Sequence, residues 1–184
     1  MPADETSARR KLHTRTITID GYQREDGLFD VEAEIRDEKT YAFDVEHRAV
    51  TLGEPLHHMH ARLTVTPEME IVGAAAQTFA GPFSICPGGA ESFDRLTGLV
   101  IKPGFLKAAN ERLGGVIGCT HLRELLQQMA TVALQTTFIL RSKRDAEIAD
   151  APPRQLNTCY AYDSNRSAMK ARYPKFYTGP ETVE

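Results

Sequence analysis

The sequence predicts an α+β domain in which an antiparallel β-sheet packs on one long α-helix, with shorter helices beside it. Three observations carry this. Alternation of apolar and polar residues dominates residues 13–79. Helical spacing of apolar residues takes over at 122–140. Strands therefore come first and helices afterwards, unlike the repeated strand–helix units of a parallel sheet.

The elements follow in order. Ile17 and Ile19 share one face of a first strand, with Thr16, Thr18 and Asp20 on the other. Glu25-Asp26-Gly27 is a turn whose glycine supplies positive φ. Phe29, Val31, Ala33 and Ile35 then alternate with Asp30, Glu32, Glu34 and Arg36, so the two runs form a hairpin. A third strand is expected near residues 41–45, and Gly53-Glu54-Pro55 breaks the pattern. Another strand pair follows at 57–65 and 71–79, the second rich in alanine, which admits a close neighbour or leaves room for a ligand.

Beyond Ala80-Gly81-Pro82 the chain reads as irregular, with a short helix at 92–96. Pro103 opens a helix that Gly114-Gly115 ends, and Thr120 is the expected N-cap of the longest helix. Its apolar positions are Leu122, Leu125, Leu126, Met129, Val132, Ala133 and Leu140. Residues 156–162 are expected as a last strand. The domain is expected to span 13–163, between a disordered segment at 1–12 and a loosely attached tail at 164–184.

Composition narrows the function classes. The 184 residues carry 22 Lys+Arg against 25 Asp+Glu, a formal charge of −3, which argues against a protein whose main task is to grip nucleic acid. No apolar run approaches the roughly 18 residues that span a bilayer, and the start lacks the apolar stretch of a secretory signal. The three cysteines, Cys86, Cys119 and Cys159, are odd in number and widely spaced, which favours reduced thiols and a cytoplasmic location.

Chemistry concentrates in three places. Three of the six histidines lie at His57, His58 and His60. On a strand His58 and His60 face one way and can share a metal, while His57 joins Met59, Leu63 and Val65 on the buried face. A buried imidazole stays neutral near pH 7, which suits a general base. An ordinary core histidine bonded to a backbone carbonyl is the competing assignment.

The second place is the run from Gly114 to His121, which sets Cys119 and His121 at the start of the long helix, where the helix dipole stabilises anions. A glycine-rich loop with Cys119 packed inside competes with that assignment. The third is the pair Tyr160 and Tyr162, whose phenols can meet a polar ligand or simply close the edge of the core. Cys86-Pro87-Gly88-Gly89 has neither a zinc ribbon's partner thiols nor a second redox cysteine. G-x-G-x-x-G, the phosphate-loop ending and G-x-S-x-G are all absent.

The segments REDGLFDVEAEIRD, GEPLHHMHARLTV, GPFSICPGGAESFDRLTGLVIKPGF, ERLGGVIGCTHLRELL and LNTCYAYDSN together resemble the bacterial domain of unknown function 2889 family. The resemblance runs from about Thr14 to Tyr173, and GCTHL is its most particular feature. It implies a metabolic role, in the setting of aromatic or acyl catabolism, and no mechanism. His57, Cys119 and His121 match positions typical of the family. His58 and His60 stand where an acidic and an aromatic residue are expected, and Tyr160 stands where a histidine is expected.

The combined expectation is a small-molecule lyase acting on a hydroxylated aromatic by acid–base chemistry, without an organic cofactor. Retro-aldol loss of a one-carbon fragment such as formaldehyde suits that equipment. His57, His60, His121 and Tyr160 are the expected catalytic groups, and His58, Arg62, Cys119 and Tyr162 the expected substrate contacts. No metal is expected. Two alternatives stand beside this reading: a metal-dependent enzyme with His57, Cys119 and His121 as ligands, and a non-catalytic small-molecule binding protein. The partner expected is a small molecule, not nucleic acid or membrane, and the exposed edges of an open sheet invite a homodimer.

Overall fold

Four long strands form one antiparallel sheet, and helices between residues 88 and 136 cover one of its faces. The computed structural model describes residues 7–146, 148 and 151–180. In it β1 (His13–Gln23) and β2 (Phe29–Lys39) pair throughout, joined by a turn in which Gly27 takes φ +83°. Next in the chain, β3 (Phe43–Val45) and β4 (Arg48–Val50) form a separate two-stranded hairpin. β5 (Pro55–Val65) returns to lie against β2, and β6 (Ile71–Ala80) closes the other edge. The strand order is therefore β1-β2-β5-β6.

One face of the sheet is the core. Phe29, Val31, Ala33 and Ile35 of β2 are buried there beside Met59, Ala61, Leu63 and Val65 of β5. A large side chain moved from water into such a core contributes about 1.5–3 kcal/mol. The polar residues expected on the opposite face do lie there, so the alternation was a faithful guide.

On the apolar face α1 (Gly88–Glu91) runs into a 3-10 turn at Ser92–Leu96, and α2 (Phe105–Leu113) follows. α3 (Thr120–Thr136) buries Leu122, Leu125, Leu126, Met129 and Ala133. Its N-cap is Cys119, in extended conformation, and Thr120 is already helical, so the helix starts one residue earlier than expected. The long helix also ends before Leu140. Thr136 and Thr137 turn their hydroxyls back to the carbonyls of Val132 and Ala133, a local competition that weakens helix continuation. Leu140 therefore belongs to α4 (Phe138–Ala146).

The direction of α3 decides which residues meet at the end of the sheet. Near its start Glu124 meets Arg15 of β1, and at its end Thr136 lies on Gly21 of the same strand. Arg15 to Gly21 covers about 20 Å of strand, and Glu124 to Thr136 about 18 Å of helix. The helix thus lies along β1, and its N-terminus sits over the end of the sheet that carries Arg15.

The chain divides into two compact units, Met1–Phe138 and Ile139–Glu184. The second contains no strand among its described residues. The expected strand at 156–162 is a set of turns ending in a 3-10 helix at Tyr160–Tyr162. Asn157 adopts φ +58° and its backbone N–H donates to the Tyr162 carbonyl, so the segment folds back on itself instead of extending. The stretch expected as a loose tail carries α5 (Ser167–Arg172), whose Met169 is buried. Residues 1–6 of the expected disordered segment and 181–184 of the expected tail lie outside the described residues. Among the described residues no helix is long and apolar enough to cross a membrane.

Candidate functional site

The core face of β2 does not end at Ile35: the next inward residue is an aspartate. Asp37 is 1 % exposed and continues the row Phe29, Val31, Ala33, Ile35. A buried carboxylate needs partners, and the register supplies them from both sides. Asp37 pairs with Arg15 on β1 and with His57 on β5. Three neighbouring strands therefore present Arg15, Asp37 and His57 in one line across the sheet.

The contacts are close. Arg15 donates from Nε to Asp37 Oδ1 and from Nη2 to Oδ2, both at 2.8 Å, a two-pronged grip that suits a planar carboxylate. Its third nitrogen, Nη1, donates to Glu124 Oε2 at 2.7 Å. His13 Nε2 lies 3.2 Å from Asp37 Oδ1. His57 Nδ1 lies 3.0 Å from Oδ2. Burial pushes the Asp37 pKa upward, but the hydrogen bonds and charge of Arg15, with help from His57, outweigh it and hold the group below its ordinary 3.8. Asp37 is thus an ionised carboxylate near neutral pH.

An ionised carboxylate only accepts, so His57 must carry its proton on Nδ1 and leave the Nε2 lone pair free. Burial, and next the neighbouring His121, keep the His57 imidazole below its ordinary 6.5 despite the pull of Asp37. A neutral ring with a free Nε2 results.

α3 delivers the remaining groups. The His121 ring lies against that of His57, centroids 3.9 Å apart and planes inclined by 36°. Its Nε2 is 4.0 Å from Asp37 Oδ2, too far for a direct hydrogen bond. Burial, then the charge of Arg15, lower the His121 pKa as well. Cys119 Sγ sits 3.8 Å from both His121 Nδ1 and Met59 Sδ. The side chains of His57 and His121 are 13 % and 23 % exposed, so each ring keeps part of its surface open to solvent.

The other expected residues are placed differently. His58, His60 and Arg62 lie on the opposite face of β5 from His57, and the sheet itself separates them from Asp37. His58 Nε2 meets Glu34 Oε1 at 2.6 Å and its ring packs on Phe79. His60 Nε2 is 3.9 Å from Glu32 Oε2. Tyr160 and Tyr162 belong to the second unit. Tyr160 is 77 % exposed, with the Arg166 guanidinium 4.2 Å above its ring. The ring centroids of Tyr162 and Tyr173 are 6.5 Å apart.

Sequence reasoning missed Asp37 and Arg15. The signal was available: an acidic residue at the fifth inward position of an otherwise apolar alternation is a buried charge, and Arg15 shares the face of Ile17 and Ile19.

Comparison with known proteins places the chain. A family model described as "Protein of unknown function (DUF2889)" matches residues 13–135. The chain belongs to the DUF2889 family. The match covers the strands and nearly all of α3, so every member of the Arg15–Asp37–His57–His121 cluster lies in the DUF2889 region, whereas Tyr160 and Tyr162 lie outside it. No curated protein and no solved structure matches the chain.

Proposed function

We propose that this protein is a small-molecule lyase that uses His57 as a general base, without an organic cofactor, on a hydroxylated aromatic. The observation that supports this reading is the bond from His57 Nδ1 to buried Asp37, which orients the ring and leaves Nε2 able to accept a proton. His57 removes a substrate hydroxyl proton. The oxygen electrons form a carbonyl as the adjoining carbon–carbon bond breaks, and a one-carbon aldehyde leaves. The electron pair left on carbon takes back a proton, so the reaction is redox-neutral. In this reading His121, whose ring lies against that of His57, binds the oxygen that carries charge in the transition state.

A second reading is favoured by a specific observation. One ligand atom each from Asp37, His57 and His121 all lie within 4.8 Å of one another, as in a metal-binding cluster. This set replaces Cys119 of the expected trio with Asp37. The acid–base reading ranks first because Arg15 already grips both oxygens of Asp37. A divalent cation on that carboxylate would face a fixed positive charge a few ångströms away.

The test is aldehyde release from hydroxylated aromatics that carry a hydroxymethyl group on the side chain. His57→Gln is expected to lower turnover by roughly 100-fold or more, the range of a lost general base. His60→Ala, across the sheet, is expected to keep turnover within about threefold. Full activity in His57→Gln, or collapse in His60→Ala alone, would move the chemistry to the other face.

A further inference from the structure

Met59 lies on the core face of β5, two residues after His57, and is 1 % exposed. Its sulfur meets another soft atom there. Cys119 Sγ lies 3.8 Å from Met59 Sδ and 3.8 Å from His121 Nδ1. A strand and the start of α3 thus bring a thioether, a thiol and an imidazole together, with the thiol in contact with both others.

The local fold holds the thiol in that place. Cys119 is the N-cap of α3 in extended conformation, and among the described residues its side chain caps no backbone N–H. Its own N–H donates to the Gly89 carbonyl at 3.3 Å. A Cβ on Gly89 would lie 3.2 Å from Cys119 Cβ, so the glycine lets α1 close against the cysteine. Sγ is left facing Met59 and His121. Cys119 is half-buried and the His121 side chain is 23 % exposed, which gives an ion a way in from solvent.

The donor set is selective. Thiolate and thioether sulfurs are soft ligands that favour copper(I), and imidazole suits copper as well. Zinc sites draw instead on thiolate, imidazole and carboxylate. Metal–sulfur bonds of about 2.3 Å and metal–nitrogen bonds of about 2.0 Å put donor atoms that share one ion about 3.5–3.9 Å apart. Both contacts of Cys119 Sγ fall in that range.

We infer that Cys119 Sγ, Met59 Sδ and His121 Nδ1 form a binding site for one copper(I) ion. Binding exchanges the thiol proton for the ion: Cys119–SH and Cu⁺ give Cys119–S–Cu and a released H⁺, with no change of oxidation state. The site differs from the Asp37–His57–His121 cluster in using two sulfurs and no carboxylate. With Nδ1 on the ion, His121 carries its proton on Nε2, the nitrogen 4.0 Å from Asp37 Oδ2. The inference stands on the donor geometry and does not depend on the acid–base reading.

Anaerobic titration of the full chain with copper(I), in competition with bathocuproine disulfonate, provides the test. Cys86→Ser and Cys159→Ser are combined in the parent, so that Cys119 is its one thiol. The parent is expected to hold one copper(I) per chain. Cys119→Ser should weaken binding by at least roughly 100-fold, and Met59→Leu, which keeps the core volume, by roughly tenfold. X-ray absorption of the loaded parent should show two sulfurs at about 2.3 Å and one nitrogen at about 2.0 Å. Unchanged affinity in Met59→Leu, or a single sulfur on the copper, would overturn the site. Where Met59→Leu does not fold, the sulfur count decides alone.

His57→Gln separates this site from the catalytic readings. Its copper(I) affinity should stay within about threefold of the parent, because His57 supplies no ligand. A loss as large as in Cys119→Ser would put the ion in the Asp37 cluster and overturn the inference. Full turnover in His57→Gln with copper still bound would remove the acid–base reading and leave the copper site standing. Lost turnover in His57→Gln beside unchanged affinity in Met59→Leu would do the opposite.

Discussion

Asp37 Oδ2 and His57 Nδ1 face each other at 3.0 Å across the β2–β5 pair, at directly opposed positions of the ladder. The carboxylate is buried and the imidazole is partly exposed, so one bond links the core to the surface. That arrangement lets a buried ion pair set the tautomer of a partly exposed ring, while burial holds its pKa down.

Replacing Asp37 tests this link. Asp37→Asn can donate as well as accept, so it no longer requires the proton on His57 Nδ1. Turnover is expected to fall by at least about 100-fold, as when a general base loses the partner that sets its tautomer. Arg15 also loses its two-pronged partner, and with that side chain partly exposed the stability cost is expected to be about 1–3 kcal/mol. Urea denaturation measures the second effect separately from the first.

Acid sensitivity follows from the depressed values. Folding lowers the pKa of His57 and of His121 below 6.5, chiefly by burial, so below that pH the unfolded chain binds more protons than the folded one. Stability present above pH 6.5 is then lost as the pH falls through the folded values. Asp37 adds a second stage: its stabilisation is present above 3.8 and is lost as the pH drops through its own lowered value. Denaturation midpoints across pH 3–8 should show both stages. The acid limb of turnover should have an apparent pKa below 6.5, and a limb above 6.5 would show that Asp37, not burial, controls the ring.

Metal removal distinguishes the two catalytic readings. Turnover is expected to survive dialysis against EDTA unchanged. Loss of activity with recovery on adding zinc, and failure of that recovery in Asp37→Asn, would assign the cluster to a metal instead.

Gly21 tests the docking of α3. A Cβ there would overlap the Thr136 hydroxyl, because the helix end lies directly on β1. Gly21→Ala is expected to cost about 1–3 kcal/mol, and Thr136→Gly in the same chain should recover most of it. The single change should also lower turnover if the helix shift reaches His121 at the far end.

The hairpin at Gly27, the two strand pairs and the amphipathic face of α3 could be read directly from the sequence, because period-2 and period-3.6 patterns depend on local geometry. His57 could be put on the buried face for the same reason. Neither Arg15 nor Asp37 was singled out, although each sits on the face that the alternation assigns to the core. The expected strand at 156–162 failed because Asn157 turns the chain back, and apolar alternation over so few residues does not reveal a positive φ.

By itself, then, the sequence determined the four long strands, the long helix and which way most of their side chains face. Tertiary structure decided which of them meet. Alternation specifies a face but not a neighbour. The row Arg15–Asp37–His57 exists because the register of three strands aligns them. His121 completes it because α3 runs along β1 with its N-terminus over that row. Both depend on packing between distant segments, as between Arg15 and Glu124, 109 residues apart, where no local pattern carries information.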